Sequence, residues 1–277
     1  MIIKTQALVL QIRPWSRTSH MVTWLTQEHG KVVTAVKGAC RPKSAFLGQY
    51  DLFYTCDLLF YRRENDGVHA IRECTPIVLR EPLRQRWRQA AAAAYLADLT
   101  ARVSVSHHDS NPLFLLLTDT LDRLTGTPPP PALELLIGYE TRLLKHLGLM
   151  PDLTTCPLCH TPDRPWLRFS LPSGRFVCPH LEKSQAGDVS LTLHRKVRDL
   201  FRDLCAAESE AGAIQVFGSF ASKKNEAELN LLLGLSRFLG MFIAFHLDVP
   251  SAVRRVTLEM LNTTPPQKSA VLENNQP

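Results

Sequence analysis

The sequence predicts an α+β multidomain protein. An N-terminal five-stranded barrel of the OB-fold type is followed by an all-α domain that carries an inserted zinc-ribbon-like hairpin. Three observations predict it. Five strand patterns precede residue 80, with no helix between them long enough for a crossover. From Glu81 onward the chain turns to helical periodicity. A Cys-x-x-Cys pair then falls in a stretch with little helical signal.

The strands run in order. Thr5–Ile12 is mostly apolar, and a polar loop, Arg13–His20, leads to Met21–Leu25. After the turn Gln27–Gly30 comes Lys31–Lys37, whose small and β-branched residues suit a half-buried pleat. Gln49–Arg62 alternates in part, with Leu52, Tyr54, Leu58 and Phe60 against Asp51, Thr55 and Asp57. The turn Glu64–Gly67 carries the Asp-Gly signal of a hairpin, and Val68–Glu73 returns. An SH3-like barrel has a similar strand count, and the pattern does not separate the two.

The third strand ends in a basic turn. Lys37, Arg41 and Lys43 crowd around Gly38 and Pro42 with no acid among them. Such a turn on a barrel rim can hold phosphate oxygens while the sheet keeps it still, or it can simply stay solvated. Arg13, Arg17 and Lys31 surround it in sequence; Lys4, Arg62 and Arg63 are lesser candidates. Of the nearby aromatics most belong to a core, whereas Trp15, Phe46 and Tyr50 sit in or beside loops, where a ring can stack on a base.

The helices follow. Arg84–Ser104 has an alanine run and no Gly or Pro, and reads as one long helix. Pro112–Leu124 starts with proline at its first position behind a cap at Asp109–Asn111. The stiff linker Pro128–Pro131 precedes Ala132–Leu147, which Gly148 ends. Leu193–Ala207 and the strongly apolar Asn225–Leu247 complete the set. The organisation is therefore 1–80 for the barrel, 81–153 with 190–261 for the helical domain, 154–189 for the insert, and 262–277 as a polar tail read as disordered.

Composition bounds function. In 277 residues the net charge is +6, and residues 1–80 hold eleven Lys and Arg against six Asp and Glu. That favours an acidic partner at the N-terminal end, nucleic acid first. No apolar run is read as a membrane span and no signal peptide is read at the start, so a cytoplasmic protein without a membrane partner is expected. Seven cysteines then read as thiols or metal ligands. No G-x-S-x-G, H-E-x-x-H or P-loop pattern occurs, so neither an enzyme nor a small-molecule substrate is expected.

Cys156-x-x-Cys159 is followed after eighteen residues by Cys178-Pro-His180. Zinc ribbons space two such knuckles about 15–20 residues apart. Leu181 stands where a second Cys-x-x-Cys would end, so His180 is the fourth donor candidate, ahead of His160 and Glu182. Three readings stay open: a structural zinc on Cys156, Cys159, Cys178 and His180; a metal-free hairpin, Trp166–Val177, turning at Pro172-Ser173-Gly174; or a redox pair.

The run Lys31–Ser44, preceded by Leu25–Gly30, resembles the hallmark of the bacterial DNA repair and recombination protein family RecO. Thr26, Gly30, Lys37, Gly38, Ala39 and Ser44 match its pattern. Cys40 stands beside Arg41 where members commonly carry two arginines. Tyr50–Arg62, Ile71–Pro76 and Glu140–Pro151 are similar to the family's following strand, its last strand and the helix leading to its Cys-x-x-Cys. The resemblance implies an OB-fold, a helical domain and a zinc ribbon that some members lack. It also implies binding of single- and double-stranded DNA, strand annealing, and work with RecR to load RecA onto DNA coated by single-stranded-DNA-binding protein (SSB), whose acidic, apolar tail many members bind. A nucleoid-associated cytoplasmic location goes with that role. A zinc-ribbon and OB accessory factor that binds RNA or polymerase without annealing would share the charge and the motifs.

Overall fold

The computed structural model describes residues 1–63, 67–106, 110–126, 132–154, 165–177, 189–207 and 226–262. The turn at 64–66, the cap at Asp109, the prolines at 128–131, the ligand candidates Cys156, Cys159, Cys178 and His180, and the tail beyond 262 lie outside these residues.

Five strands close a barrel: β1 (Ile2–Ser16), β2 (Ser19–Thr26), β3 (Lys31–Val36), β4 (Thr55–Tyr61) and β5 (Val68–Val78). They run β1-β2-β3-β5-β4 around the barrel. The β3–β5 seam is parallel, with Val33 beside Val68, Thr34 beside His69 and Ala35 beside Ala70. A barrel of consecutive hairpins would be antiparallel throughout, so this seam selects the OB-type Greek-key barrel over the SH3-like alternative. β1 serves two partners. Its first half pairs with β4 and its second half with β2, bending at a bulge between Val9 and Gln11.

β1 is longer than its expected span, so Arg13 is a strand residue opposite Met21 rather than part of a loop. Conversely, β4 is shorter than Gln49–Arg62. Phe53 has φ +68°, which breaks the ladder before Thr55. Its carbonyl instead accepts from Arg80 Nη1 at 2.7 Å. The Arg80 guanidinium, buried where the barrel ends, also donates to Asp122 at 2.7 Å and Thr55 Oγ1 at 2.9 Å.

The helices are α1 (Pro82–Gln85), α2 (Trp87–Val103), α3 (Asn111–Leu124), α4 (Ala132–His146), α5 (Arg195–Ala206), α6 (Glu226–Leu247) and α7 (Ser251–Asn262). The expected single helix 84–104 is broken at Arg86 (φ −114°, ψ 86°). There the Arg86 guanidinium caps α3 by donating to the carbonyls of Thr125 and Gly126 at 3.3 and 2.7 Å. Strands β6 (Trp166–Ser170), β7 (Arg175–Val177) and β8 (Ser190–His194) form an antiparallel sheet in the order β7-β6-β8. The hairpin expected over 166–177 is therefore present. The helix expected from Leu193 begins only at Arg195, because Leu191 and Leu193 pair with Phe169 and Leu167 in the sheet.

Two cores result. Ile3, Val9, Val22, Trp24, Val36, Leu58 and Phe60 fill the barrel. Leu8, Leu10 and Leu25, on the outer face of β1 and β2, belong instead to the helical core with Leu96, Leu99, Leu117 and Leu143. The run A-L-V-L in β1 thus has both faces covered, which is why it does not alternate. The outer face of the barrel is thus packed into the helical core.

By length and composition α6 could cross a membrane, contrary to the expectation that no segment could. Its inward stripe, Leu232, Leu235, Phe238, Leu239, Phe242 and Ile243, is buried in the bundle. The rest of its apolarity, at Leu229, Leu233, Met241 and Phe245, is exposed.

Candidate nucleic-acid interface

The chain after β3 descends through successive turns. Arg41 N–H donates to Gly38 O at 3.1 Å, Ser44 N–H to Arg41 O at 2.9 Å, and Leu47 N–H to Ser44 O at 3.3 Å. In the turn Arg41–Ser44, Pro42 occupies the second position, where its fixed φ fits. Gly38 has φ +68°. A Cβ there would lie 3.3 Å from Arg41 Cδ, so the absent side chain serves both the backbone and the Arg41 stem above it.

These turns are tied to the β1–β2 hairpin tip. Cys40 N–H donates to Thr18 O at 3.1 Å and Gly38 N–H to Ser19 Oγ at 3.2 Å. His20 joins them from β2. Its Nε2 lies 3.3 Å from Cys40 Sγ and its Nδ1 2.8 Å from Tyr50 Oη. Tyr50, expected at the surface, is half-buried by this contact, and burial raises its phenol well above the usual range.

One rim therefore gathers Lys37, Arg41 and Lys43 with Arg17 from the hairpin tip, all exposed. Among the described residues none of the four has an ion-pair partner. The nearest acid in the loop, Asp51, is engaged elsewhere by Arg84 at 2.5 Å. Arg63, exposed at the end of the segment after β4, and Lys37 line a cleft of about 260 Å³ with Trp15, Phe46, Ala35 and Ala70. Arg13 is exposed and bonds Gln11 Oε1 at 3.0 Å.

Lys31 is not brought to this rim. It stands at the other end of β3, about 17 Å away at roughly 3.3 Å per residue. Its ammonium donates to Ala101 O near the end of α2 at 2.9 Å, where a cation meets the negative helix pole. Thr26 and Gly30 share that end. Thr26 Oγ1 donates to Gly30 O at 2.8 Å and accepts from His29 N–H at 2.9 Å. Gly30 N–H donates to Ser110 Oγ at 3.1 Å, at the start of α3. The hallmark stretch is thus two devices on one strand: a clasp onto the helices and a basic rim.

Arg63 is a lesser candidate in the sequence because its place in one cleft with Lys37 depends on the parallel β3–β5 seam. Tyr61, on the last residue of β4, is a further exposed aromatic.

Comparison with known proteins agrees with this architecture. The family model described as "Recombination protein O N terminal" matches residues 1–80, and that described as "Recombination protein O C terminal" matches residues 84–255. The chain belongs to the recombination protein O family, RecO. It is 31% identical over 179 residues to a DNA repair protein RecO from Alkaliphilus metalliredigens, covering 64% of this chain and 71% of that one. To the RecO of Exiguobacterium sibiricum it is 28% identical over 192 residues, 69% of this chain and 75% of that one.

A second surface lies on the helical side. Between α6 and α7 runs a groove of about 840 Å³, lined by Leu233, Met241, Phe245 and Leu258, with Arg237 and Arg255 exposed along it. Among the described residues no group of three His, Cys, Asp or Glu side chains converges to hold a metal.

Proposed function

We propose that this protein is a DNA-binding recombination mediator acting in the bacterial cytoplasm at the nucleoid. It anneals complementary single strands and, with RecR, helps load RecA onto SSB-coated DNA. The observation that carries the reading is a rim of cations with no ion-pair partner among the described residues, set on an OB-type barrel in a chain of the RecO family. Annealing requires no bond chemistry, so no enzyme is invoked. Two polyanions repel, and a rim that neutralises phosphates on both strands lowers that barrier through release of condensed counterions. Lys37, Arg41 and Lys43, with Arg17 beside them, are the phosphate ligands.

The α6–α7 groove is the seat for the SSB tail. Charge supports it, since an acidic, apolar peptide end would set its hydrophobic side chains on Leu233, Met241 and Phe245 while Arg237 and Arg255, two cations against the groove's Glu259, meet its carboxylates.

A structural zinc would be held by Cys156, Cys159, Cys178 and His180, a donor set suited to that ion. The described flanks support the pairing of the two knuckles. Asp152 forms a parallel bridge with Arg175, and Asp152 N–H donates to Gly174 O at 2.8 Å, so the chain leading to Cys156 starts beside the strand leading to Cys178. Metal analysis of purified protein should give about one zinc per chain; a ratio near zero ends the assignment.

The deciding experiment is annealing of complementary oligonucleotides, bare or SSB-coated, across a salt series. The wild type should anneal both. A protein that binds nucleic acid without annealing it would instead be an accessory factor sharing the fold.

A further inference from the structure

The geometry points to a seat for one unpaired nucleobase in the cleft between Trp15 and Phe46. This rests on the DNA-binding reading above and makes the barrel a reader of single strands rather than of backbone charge alone. The floor is set by the parallel seam, where Ala35 faces Ala70 across β3 and β5. Two methyl side chains at adjacent ladder positions leave a hollow that larger residues would fill. Trp15 walls it from the hairpin tip, 53% exposed, and half-buried Phe46 walls it from the basic turn.

The hollow measures about 260 Å³, below the roughly 300–1,000 Å³ of ordinary small-molecule sites. It suits one planar ring system. Lys37 and Arg63 also line it, and neither has an ion-pair partner among the described residues. An aromatic wall, an apolar floor and two available cations match a nucleotide, whose base offers a π-face and whose flanking phosphates offer charge. A duplex keeps its bases stacked inside and cannot fill the cleft.

The test compares three probes of equal length at fixed salt: an oligothymidylate, the same backbone with abasic residues, and a duplex. Each is titrated into the wild type, Trp15→Ala, Trp15→Phe and Ala70→Val, with thermal melting confirming that the variants fold. The wild type should prefer the base-bearing strand over the abasic one by about five- to a hundredfold. Trp15→Ala and Ala70→Val should bring that ratio near unity and leave duplex affinity unchanged, and Trp15→Phe should restore most of it. Equal wild-type affinity for base-bearing and abasic strands overturns the seat while leaving DNA binding intact. Equal weakening of all three probes by Trp15→Ala overturns it too. A wild type that binds none of the three removes the DNA-binding reading, and the seat with it.

Discussion

Arg254 on α7 and Glu140 on α4, 114 residues apart, form a buried two-pronged ion pair with N–O distances of 2.6 and 2.8 Å. Tyr95 Oη donates to the same carboxylate at 2.6 Å, and Arg254 Nη2 donates to Ser236 Oγ at 3.1 Å. Burial alone would lower the guanidinium's pKa; the Glu140 carboxylate more than reverses this and holds it above its ordinary range. Arg254→Leu leaves the buried Glu140 carboxylate without its cation, with the Tyr95 hydroxyl still donating to it, and should lower stability by about 3–5 kcal/mol in denaturant unfolding. Gly240→Ala tests the same contact from α6. A Cβ there would come within 2.6 Å of Arg254 Nη1, so a loss of about 1–3 kcal/mol is expected. Because Arg254 also lines the α6–α7 groove, both variants should weaken whatever docks there.

The rim is tested by salt. Lys37→Ala/Arg41→Ala/Lys43→Ala should reduce the log–log salt slope of single-strand binding by about 2, at roughly 0.7 per lost contact. Lys31→Ala should leave that slope unchanged. Its expected effect is a stability loss of about 0.3–1 kcal/mol from the vacated end of α2, read by thermal melting. A changed slope for Lys31→Ala would place this residue on the DNA.

Gly38→Ala separates conformation from charge. No cation is lost, yet an alanine in the left-handed backbone is strained by about 1–2 kcal/mol and the new methyl presses on the Arg41 stem. Slower annealing with an unchanged net charge is the expected outcome, measured beside the triple variant.

The groove between α6 and α7 predicts its own variants. Phe245→Ala and Arg237→Glu should each weaken binding of an SSB C-terminal peptide, by fluorescence anisotropy, without altering affinity for bare oligonucleotide. Loss of both together would mean the substitution disturbed the fold.

The thiols differ in availability. Cys40 is exposed on the rim, and Cys56 and Cys74 are buried in the barrel. Burial, only partly offset by Lys145, pushes the Cys205 thiol up to about 12. Since the thiolate is the nucleophile, iodoacetamide at about pH 8 should label Cys40 and spare Cys205 until the protein unfolds. Peptide mass spectrometry reads this directly. Labelling of Cys205 in the native protein, where it is half-buried, would contradict its raised thiol pKa.

Much of the architecture was legible because local chemistry and global fold agree. Strand β3 and the turn at Gly38 follow from β-branched spacing and a Gly/Pro pair, and the hairpin 166–177 follows from its turn residues. What sequence could not show depends on distant partners. Arg86 breaks a good helical run because the two carbonyls just past the end of α3, of Thr125 and Gly126, need a donor. Phe53 leaves the strand pattern because Arg80 takes its carbonyl. Lys31 reads as one more cation of a basic cluster, yet a strand puts its ends on opposite sides of a barrel, and only the fold shows that α2 ends beside one of them. Likewise the apolarity of Asn225–Leu247 predicts a helix, but the split between its buried stripe and its exposed Met241 and Phe245 appears only once the neighbouring helices are in place.

The shared interior formed by Leu8, Leu10 and Leu25 with the helices has a mechanical consequence. A barrel hung on a linker would swivel, and a strand of DNA seized at its rim would drift relative to anything bound to the bundle. Here the start of β3 is clasped to Ser110 on the helical side and its other end leads into the basic rim, so the strand is a strut between the two. DNA held at the rim, as proposed, would then be presented at one bearing from the α6–α7 groove.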